Sequence, residues 1–237
     1  MKKLIALIVF LLFILAFFIW GRSIYMPLVH MVKGKETVDS VVSNLESDVY
    51  DRLKRDLQLA GYKMDFPNEI IILAFKVEQK LQVYGKNSDD VRLIKEYPFT
   101  AYSGDLGPKL KEGDRQIPEG VYKIAYLNPN SSYHLSLKVD YPNSFDKSKT
   151  SFNDISKMGG DIFIHGKAVT IGCIPIGDEA IEEVFLLAKK AYNNPIQVII
   201  SPWDFREKPY YPSIDAVEWE DELYDMIKKE LLSFPKQ

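Results

Sequence analysis

The longest apolar run of the chain lies near its N-terminus, where no polar residue interrupts the stretch from Leu4 to Trp20. At about 1.5 Å per residue the run spans roughly 25 Å, close to the lower limit for a membrane helix. Lys2 and Lys3 precede it, which favours a cytoplasmic N-terminus and export of the following residues. The small residues of a cleavage site are absent from "AFFIW", so an uncleaved anchor is favoured over a cleaved signal peptide. A buried apolar helix of a soluble protein is disfavoured because the run has no polar face.

The pattern changes twice before the main body of the chain begins. Residues 22–35 are a mixed, partly basic stretch with one proline and one glycine, and we interpret them as a spacer. Residues 36–60 carry valines and leucines at helical spacing opposite a polar face, followed by Gly61 as a plausible residue just past the helix end. The sequence therefore predicts a membrane segment over 1–21 and a spacer with an amphipathic helix over 22–62.

The body of the chain is dominated by short segments rich in β-branched and aromatic residues, several of them alternating between apolar and polar positions. Strands are predicted within residues 69–85, 89–104, 120–130, 133–143, 159–166, 169–176 and 195–201. Helices are predicted over 179–192, with Asp178 as N-cap, and over 215–234. The predicted fold class is mainly β within an α+β arrangement. One domain over 63–205 contains an inserted helix, and a helical extension follows over 206–237.

Composition narrows the function classes only modestly. The net charge is −3 and the basic residues are dispersed, so the clustered footprint of a nucleic-acid-binding protein is missing. Export changes the meaning of the one cysteine, Cys173, because structural cysteines in an oxidising compartment come in pairs. An unpaired exported cysteine indicates a reactive thiol, although an inert buried cysteine is the commoner outcome in an arbitrary protein.

A candidate nucleophile and base lie eight residues apart, at His165 and Cys173. A thiol attacks as the thiolate, so it needs a neighbour that takes its proton, and histidine has the suitable pKa. Gly172 would let the Gly172 and Cys173 amides point at a developing oxyanion, and Gly166 would leave its carbonyl free to orient the imidazole. The same sequence is also expected if these residues are only turn glycines in a packed hairpin. A zinc site formed by His134, His165 and Cys173 is a weaker alternative, because helical ligand spacing and a second cysteine are missing.

A second segment, residues 103–124, gives these residues a context. It reads "GPK" at 107–109, "GD" at 113–114 and "PEG" at 118–120, followed by Tyr122 and Ile124. Together with His165-Gly166, Thr170 and Gly172-Cys173, it resembles the L,D-transpeptidase catalytic-domain family of the YkuD type. The resemblance covers residues 68–201, with the motifs in the family's order.

The resemblance implies a β-sandwich-like catalytic domain that acts on peptidoglycan stem peptides at the L-centre of diaminopimelate. By analogy Cys173 is the nucleophile, His165 the general base, Gly166 the orienting carbonyl and Gly172 part of the oxyanion hole. Lys109, Thr170 and His134 are the expected substrate contacts. No cofactor or metal is expected. The domain is expected on the extracytoplasmic face of the inner membrane, attached through residues 4–20.

The sequence also departs from the family pattern. Typical members have a longer insert between the histidine and the cysteine, serine in place of Thr170, and arginine where Pro175 stands. The compact "HGKAVTIGC" resembles a divergent branch that includes murein L,D-endopeptidases, among them enzymes that release wall-bound lipoprotein. A hydrolase is therefore weakly favoured over a transpeptidase. A non-catalytic wall-binding anchor that keeps the groove is the alternative from another class.

Overall fold

The computed structural model describes residues 2–62, 66–88, 90–191, 194–214 and 217–235, without the side chains at 20, 23, 30 and 33. Its helices are α1 (Lys2–Trp20), α2 (Arg22–Lys33), α3 (Val38–Leu59), α4 (Ser144–Lys149), α5 (Asp178–Lys190) and α6 (Glu220–Leu231). Its strands are β1 (Glu69–Phe75), β2 (Lys80–Asn87), β3 (Asp90–Pro98), β4 (Gly120–Ser131), β5 (His134–Val139), β6 (Phe163–His165), β7 (Ile174–Pro175) and β8 (Gln197–Ser201). A short 3₁₀ helix spans Ile155–Met158.

The eight strands assigned within the described residues form one mixed sheet in the order β3-β2-β1-β8-β4-β5-β6-β7. Neighbours are antiparallel except for two parallel pairs, β1 with β8 and β6 with β7. The register shifts between Ile124 and Tyr126 of β4, where the strand leaves β8 and pairs with β5. Because helices flank this sheet, the α+β prediction is confirmed.

The centre of the sheet is buried on both faces, as β1 shows most clearly. Ile70, Ile72 and Ala74 contribute to a core that also contains the buried faces of α3 and α5. The intervening residues Ile71, Leu73 and Phe75 pack into a second core with α6. Alternate side chains of a strand point to opposite faces, so this near-continuous apolar run fills both cores.

The N-terminal helices differ in part from the sequence prediction. Helix α1 covers the predicted apolar run, and its 18-residue window Lys2–Ile19 has a mean hydropathy of 2.7 with none of it buried. This exposure contradicts a buried core helix, and the helix is long and apolar enough to cross a membrane. The stretch interpreted as a spacer is instead helical over Arg22–Lys33, with Pro27 inside the helix.

Further differences concern helix ends and loops. Asp178 was predicted as the N-cap of α5 but is its first helical residue, with Gly177 in the cap position. The carboxylate of Asp178 instead accepts a hydrogen bond from the Lys167 amide (2.9 Å) and pairs with the Lys167 ammonium. The sequence did not predict α4, which Asn143 and Asp146 begin with a reciprocal capping box. Residues 215 and 216 of the predicted last helix lie outside the described residues.

Candidate active site

Strand pairing brings His165 and Cys173 near each other. His165 lies opposite Pro175 in the parallel β6–β7 pair, and Cys173 is two residues before Pro175. Cys173 itself lies in the bend directly before β7, so the register places it close to the strand that carries His165. The two predicted strands do pair, but they run parallel and are not a hairpin, and Cys173 precedes its strand instead of lying in it.

The ring of His165 is buried and held in one orientation. Its exposed fraction is 2 %, and its Nδ1 lies 2.6 Å from the carbonyl oxygen of Gly166, as the sequence predicted. A carbonyl can only accept, so Nδ1 carries the proton and Nε2 carries the lone pair. Burial lowers the pKa of His165 to about 4 although the Gly166 carbonyl acts to raise it. The imidazole is neutral at physiological pH and can accept a proton on Nε2.

The thiol of Cys173 is half-buried and unionised at rest. Its Sγ donates to the carbonyl oxygen of Asp161 at 3.4 Å. Burial is the largest influence and raises the pKa of Cys173, while a Phe163 backbone hydrogen bond and the Lys138 charge act to lower it. Within the described residues, His165 and Cys173 share no direct hydrogen bond. The resting pair therefore consists of a neutral thiol and a neutral imidazole.

The loop before Cys173 is organised by Thr170. Its Oγ1 accepts from the amides of Gly172 (3.1 Å) and Cys173 (2.9 Å) and donates to the Cys173 carbonyl oxygen (2.7 Å). The expectation that these two amides are open to an oxyanion is therefore wrong for this conformation, because a hydroxyl already accepts from both. Thr170 was expected to contact substrate, but its hydroxyl is used within the loop.

Gly172 adopts a backbone conformation suited to this loop. Its φ is +127°, a value that L side chains rarely adopt, and an added Cβ would lie 3.0 Å from the Gln116 carbonyl oxygen. A glycine is therefore needed for two reasons, backbone conformation and contact with residue 116. This close approach places the cysteine loop against the segment that carries the upstream motif.

Gly166 has no room for a side chain. A Cβ there would lie 2.6 Å from Asp178 Oδ1 and 2.8 Å from the Tyr133 carbonyl oxygen. The ring of Tyr133 packs on the ring of His165, with centroids 4.9 Å apart and planes tilted by 35°. The turn between β4 and β5 and the start of α5 thus close around the His165–Gly166 peptide.

His134 was expected near the same cleft, but its described polar contact lies towards α5. Its Nε2 is 2.7 Å from Glu182 Oε1, and Glu182 also pairs with Arg52 of α3 at 2.6 Å. The histidine therefore connects the turn before β5 to the α3–α5 layer. The proposed zinc ligand set also fails on this contact, and no group of three or more potential ligands is found in the described part of the chain.

The charged residues of the upstream motif have a structural role. Lys109 is 6 % exposed, and its ammonium lies 2.5 Å from Asp114 Oδ1 and 2.7 Å from the Lys111 carbonyl oxygen. Asp114 also accepts from the amides of Leu110, Lys111 and Gln116. The prediction that Lys109 offers a free charge to substrate therefore does not hold in this conformation.

Glu119 of "PEG" forms a fully buried ion pair with Lys76 at 2.9 Å. Lys76 also donates to the carbonyl oxygens of Gly107 and Ile117, and Glu119 accepts from the Gly107 amide and the Tyr224 hydroxyl. This cluster fixes both ends of the 107–119 segment against β1 and α6. The motif residues thus build the wall next to the cysteine loop.

A cavity of about 690 Å³ opens beside this wall. Lys109 and Gln116 line it from the motif segment, Phe152 and Met158 from the region after α4, and Trp219 from the start of α6. Gln116 connects this cavity to the cysteine loop, since its carbonyl oxygen approaches Gly172, but His165 and Cys173 are not among the lining residues. The size suits a short peptide segment.

Sequence reasoning missed four residues near the thiol and the imidazole: Tyr133, Ser136, Lys138 and Asp161. Ser136 pairs with His165 across β5 and β6, and Lys138 pairs with Phe163. The only sequence signal was the alternation of Ser136 and Lys138 with apolar neighbours, which places these two polar residues on one face of β5.

Comparison with known proteins agrees with this geometry. A family model of the L,D-transpeptidase catalytic domain, YkuD, matches residues 69–200. The chain therefore belongs to the L,D-transpeptidase (YkuD) catalytic-domain family, and the predicted membership is confirmed.

Two kinds of relative give the match more detail. YafK of Escherichia coli K12, named "Putative L,D-transpeptidase YafK", is 33 % identical over 139 residues, which cover 56 % of this chain and 54 % of YafK. The chain thus matches only about half of the length of this relative. A crystal structure of the helical cell shape determining protein Pgp2 from Campylobacter jejuni aligns with TM-score 0.47 and 21 % identity over 70 % of each chain. Bd1075 of Bdellovibrio bacteriovorus aligns with TM-score 0.42 and 24 % identity, covering 58 % of this chain and 49 % of Bd1075.

Proposed function

We propose that this protein is a peptidoglycan-modifying cysteine enzyme that acts on stem peptides at the L-centre of diaminopimelate. The observation that carries the proposal is that Cys173 directly precedes the strand paired with the His165 strand, while the Gly166 carbonyl holds Nδ1 of His165 and leaves Nε2 free to accept a proton. Family membership supports peptidoglycan as the class of substrate. Helix α1 supports attachment to the inner membrane, with the catalytic domain on its extracytoplasmic face.

The neutral resting pair favours general-base catalysis over a preformed thiolate–imidazolium pair. His165 Nε2 takes the thiol proton as Cys173 Sγ attacks the carbonyl carbon of the scissile amide. The tetrahedral intermediate collapses, the C–N bond breaks, and the imidazolium returns the proton to the leaving amine. A thioester on Cys173 results. Water resolves it by hydrolysis, or the amine of a second stem peptide resolves it by transfer.

We favour hydrolysis, because the connection between the base and the nucleophile is short. Within residues 166–172, Thr170 is bonded to the loop itself and the two glycines carry no side chains. An acceptor site could therefore use only four side chains of this loop, those of Lys167, Ala168, Val169 and Ile171. A wall-linked lipoprotein is a further candidate substrate, since its attachment uses the same kind of bond.

Digestion of purified wall material with wild-type protein and Cys173→Ala tests the proposal, with the products identified by mass. The expected result is new stem-peptide cleavage products that appear with wild type and are absent with the variant. Tyr126→Phe, a conservative change of an exposed strand residue, is the matched control and should cleave normally. Identical products from wild type and Cys173→Ala would contradict the nucleophile assignment, and D,L-cross-linked dimers without cleavage would reverse the preference for hydrolysis.

The same proteins distinguish an enzyme from a wall-binding anchor. A carbapenem should acylate the wild-type chain, add its mass once, and leave Cys173→Ala unmodified. An inert anchor would bind wall material without acquiring this mass.

A further inference from the structure

Lys138 lies near the thiol of Cys173. It pairs with Phe163 across β5 and β6, and Cys173 lies directly before the Ile164–Ile174 pair, where its thiol has a hydrogen bond with the Phe163 backbone. Residues in one row of paired strands point to the same face. Lys138 and Phe163 therefore form one row, and Ser136, His165 and Pro175 form the next row on that face.

The ammonium of Lys138 is buried without a hydrogen-bond partner in the described part of the chain. Its nearest carboxylate oxygen, Asp161 Oδ1, is 3.6 Å away, which is longer than a hydrogen bond, and the Asp161 side chain is 96 % exposed. Its other contact is the ring of Phe163, with Nζ 4.9 Å from the centroid. A buried ammonium that is this weakly compensated is costly, and such groups are typical of functional sites.

The charge is well placed to act on the thiol. The Cys173 thiol donates to the backbone carbonyl of Asp161, the same residue whose side chain approaches Lys138. We propose that the Lys138 ammonium stabilises the Cys173 thiolate that forms when His165 accepts the thiol proton. This proposal rests on the assignment of Cys173 as the nucleophile. Lys138 acts through Cys173 and is a positioning residue for its charge.

The other charged groups that face the thiol are consistent with this role. Asp161 opposes Lys138 and raises the pKa of Cys173, and Lys109 assists with a smaller lowering effect. Lys109 is already paired with Asp114, whereas among the described residues the only carboxylate within 4 Å of the Lys138 ammonium is that of the exposed Asp161. His165 is neutral before proton transfer and contributes no charge at rest. Burial lowers the pKa of Lys138, while Asp161 and the ionised thiol act to raise it, so thiolate formation and a charged Lys138 favour each other.

The test is the pH dependence of alkylation of the full chain in detergent by iodoacetamide, followed by intact mass. Cys173 is the sole cysteine of the chain, so one mass increment reports one site. Lys138→Met should move the profile to higher pH and slow alkylation at neutral pH about three- to tenfold, since one pKa unit changes the thiolate fraction tenfold. Asp161→Asn should move it the other way and accelerate alkylation about twofold, because its exposed carboxylate is better screened.

Two controls separate charge from folding and access. Lys138→Arg retains the charge and should stay close to wild type, and Lys123→Met removes an exposed lysine of β4 and should change nothing. Thermal unfolding checks that each variant is folded. If Lys138→Met fails to fold, Lys138→Gln, which is neutral but polar, should show the same shift to higher pH.

An unchanged profile in a folded neutral variant of Lys138 would overturn the proposal. So would slower alkylation of Lys138→Met by the same factor at every pH, which indicates altered access and not charge. Alkylation does not require turnover of wall material, so a shifted profile in a protein without wall activity would support the role of Lys138 while the proposed function failed.

Discussion

The centre and the edge of the sheet are built by different means. Strands β1 and β8 lie between two apolar cores and are buried on both faces, and the burial of their apolar side chains accounts for their position. Strands β6 and β7 have three and two residues, and the loop between them depends on individual hydrogen bonds that Thr170 and Asp178 accept from its backbone amides. We call these regions the central scaffold (β1, β2, β8 and the part of β4 paired with β8) and the site edge (β5–β7 with the 166–173 loop).

This difference indicates how stability and chemistry are divided. Apolar burial in the central scaffold is distributed over many contacts, so its structure does not depend on the geometry of any single hydrogen bond. A buried charge in this region, however, has no solvent to compensate for the loss of its partner. The site edge buries apolar side chains such as Leu137, Ile164 and Ile174 in the first core, and it also contains polar groups in defined places. Changes in the central scaffold should therefore act mainly on the free energy of unfolding, and changes at the site edge mainly on reactivity.

The largest effect is expected at the buried ion pair that fixes the motif segment to the central scaffold. Glu119→Ala leaves the Lys76 ammonium fully buried with two backbone carbonyls but no counter-charge. Breaking such a pair costs about 3–5 kcal/mol of unfolding free energy. Urea denaturation of the full chain in detergent measures the loss.

Glu222→Ala is the matched control, since Glu222 forms an ion pair with Lys149 at the surface with its side chain 60 % exposed. Its loss should cost no more than about 1 kcal/mol. Equal losses for the two variants would mean that burial does not distinguish these pairs.

The second-largest effect is expected in the pH dependence of the unfolding free energy, because the site edge buries the imidazole of His165. The pKa of His165 is lowered to about 4 by burial, against an ordinary value of 6.5. Between these values the unfolded chain binds more protons than the folded chain, so stability falls as the pH is lowered from about 6.5 to 4. Relative to His165→Asn, the wild type should lose about 2–3 kcal/mol of unfolding free energy between pH 7 and 4. Denaturation at several pH values measures the difference.

Asp146 provides an internal control of opposite sign. Burial raises its pKa to about 6, so its folded form binds the extra proton and its contribution to stability falls as the pH rises from about 4 to 6. Relative to Asp146→Asn, the wild type should become less stable over this rise. A pH-independent difference between wild type and His165→Asn would contradict the neutral, buried imidazole.

The central scaffold could be predicted from the sequence better than the site edge. The run "EIIILAF" and the alternation in the later strands indicated β1 to β5 and β8, because their burial is continuous along the chain. The parallel pairing of β6 with β7 could not be predicted, since the short connection of residues 166–173 also suits a hairpin. It is set by the contacts of Thr170 and Gly172, which local patterning does not contain.

Only the motif residues of the candidate site could be predicted from the sequence, and their neighbours could not. The proposed nucleophile Cys173, the proposed base His165 and the contact of the Gly166 carbonyl follow from residue types and from the resemblance to the family motif. Lys138 could not be identified, because its proximity to Cys173 depends on the β5–β6–β7 register. Thr170 was assigned to substrate because its hydroxyl partners lie in a loop whose conformation the sequence did not show.

The smallest effect on stability, and the sharpest test of the comparison, is expected from Thr170→Val. Valine keeps the shape of threonine but removes the acceptor of the Gly172 and Cys173 amides and the donor to the Cys173 carbonyl. We expect a loss of about 1–2 kcal/mol of unfolding free energy, typical of a few partly exposed hydrogen bonds, with a much larger loss of wall cleavage because Cys173 is no longer held in place. Thr170→Ser keeps the hydroxyl and should retain most activity.

The same variant also decides what the Thr170 hydroxyl does for the reaction. Two amides that converge on one oxygen have the arrangement that stabilises an oxyanion. If the hydroxyl only occupies this position at rest, its removal should free both amides, and cleavage should rise in Thr170→Val. If it holds the loop, cleavage should fall in Thr170→Val and recover in Thr170→Ser. The hydroxyl also donates a hydrogen bond to the Cys173 carbonyl, and a substrate oxyanion could not replace this donor. We therefore expect cleavage to fall in Thr170→Val and to recover in Thr170→Ser.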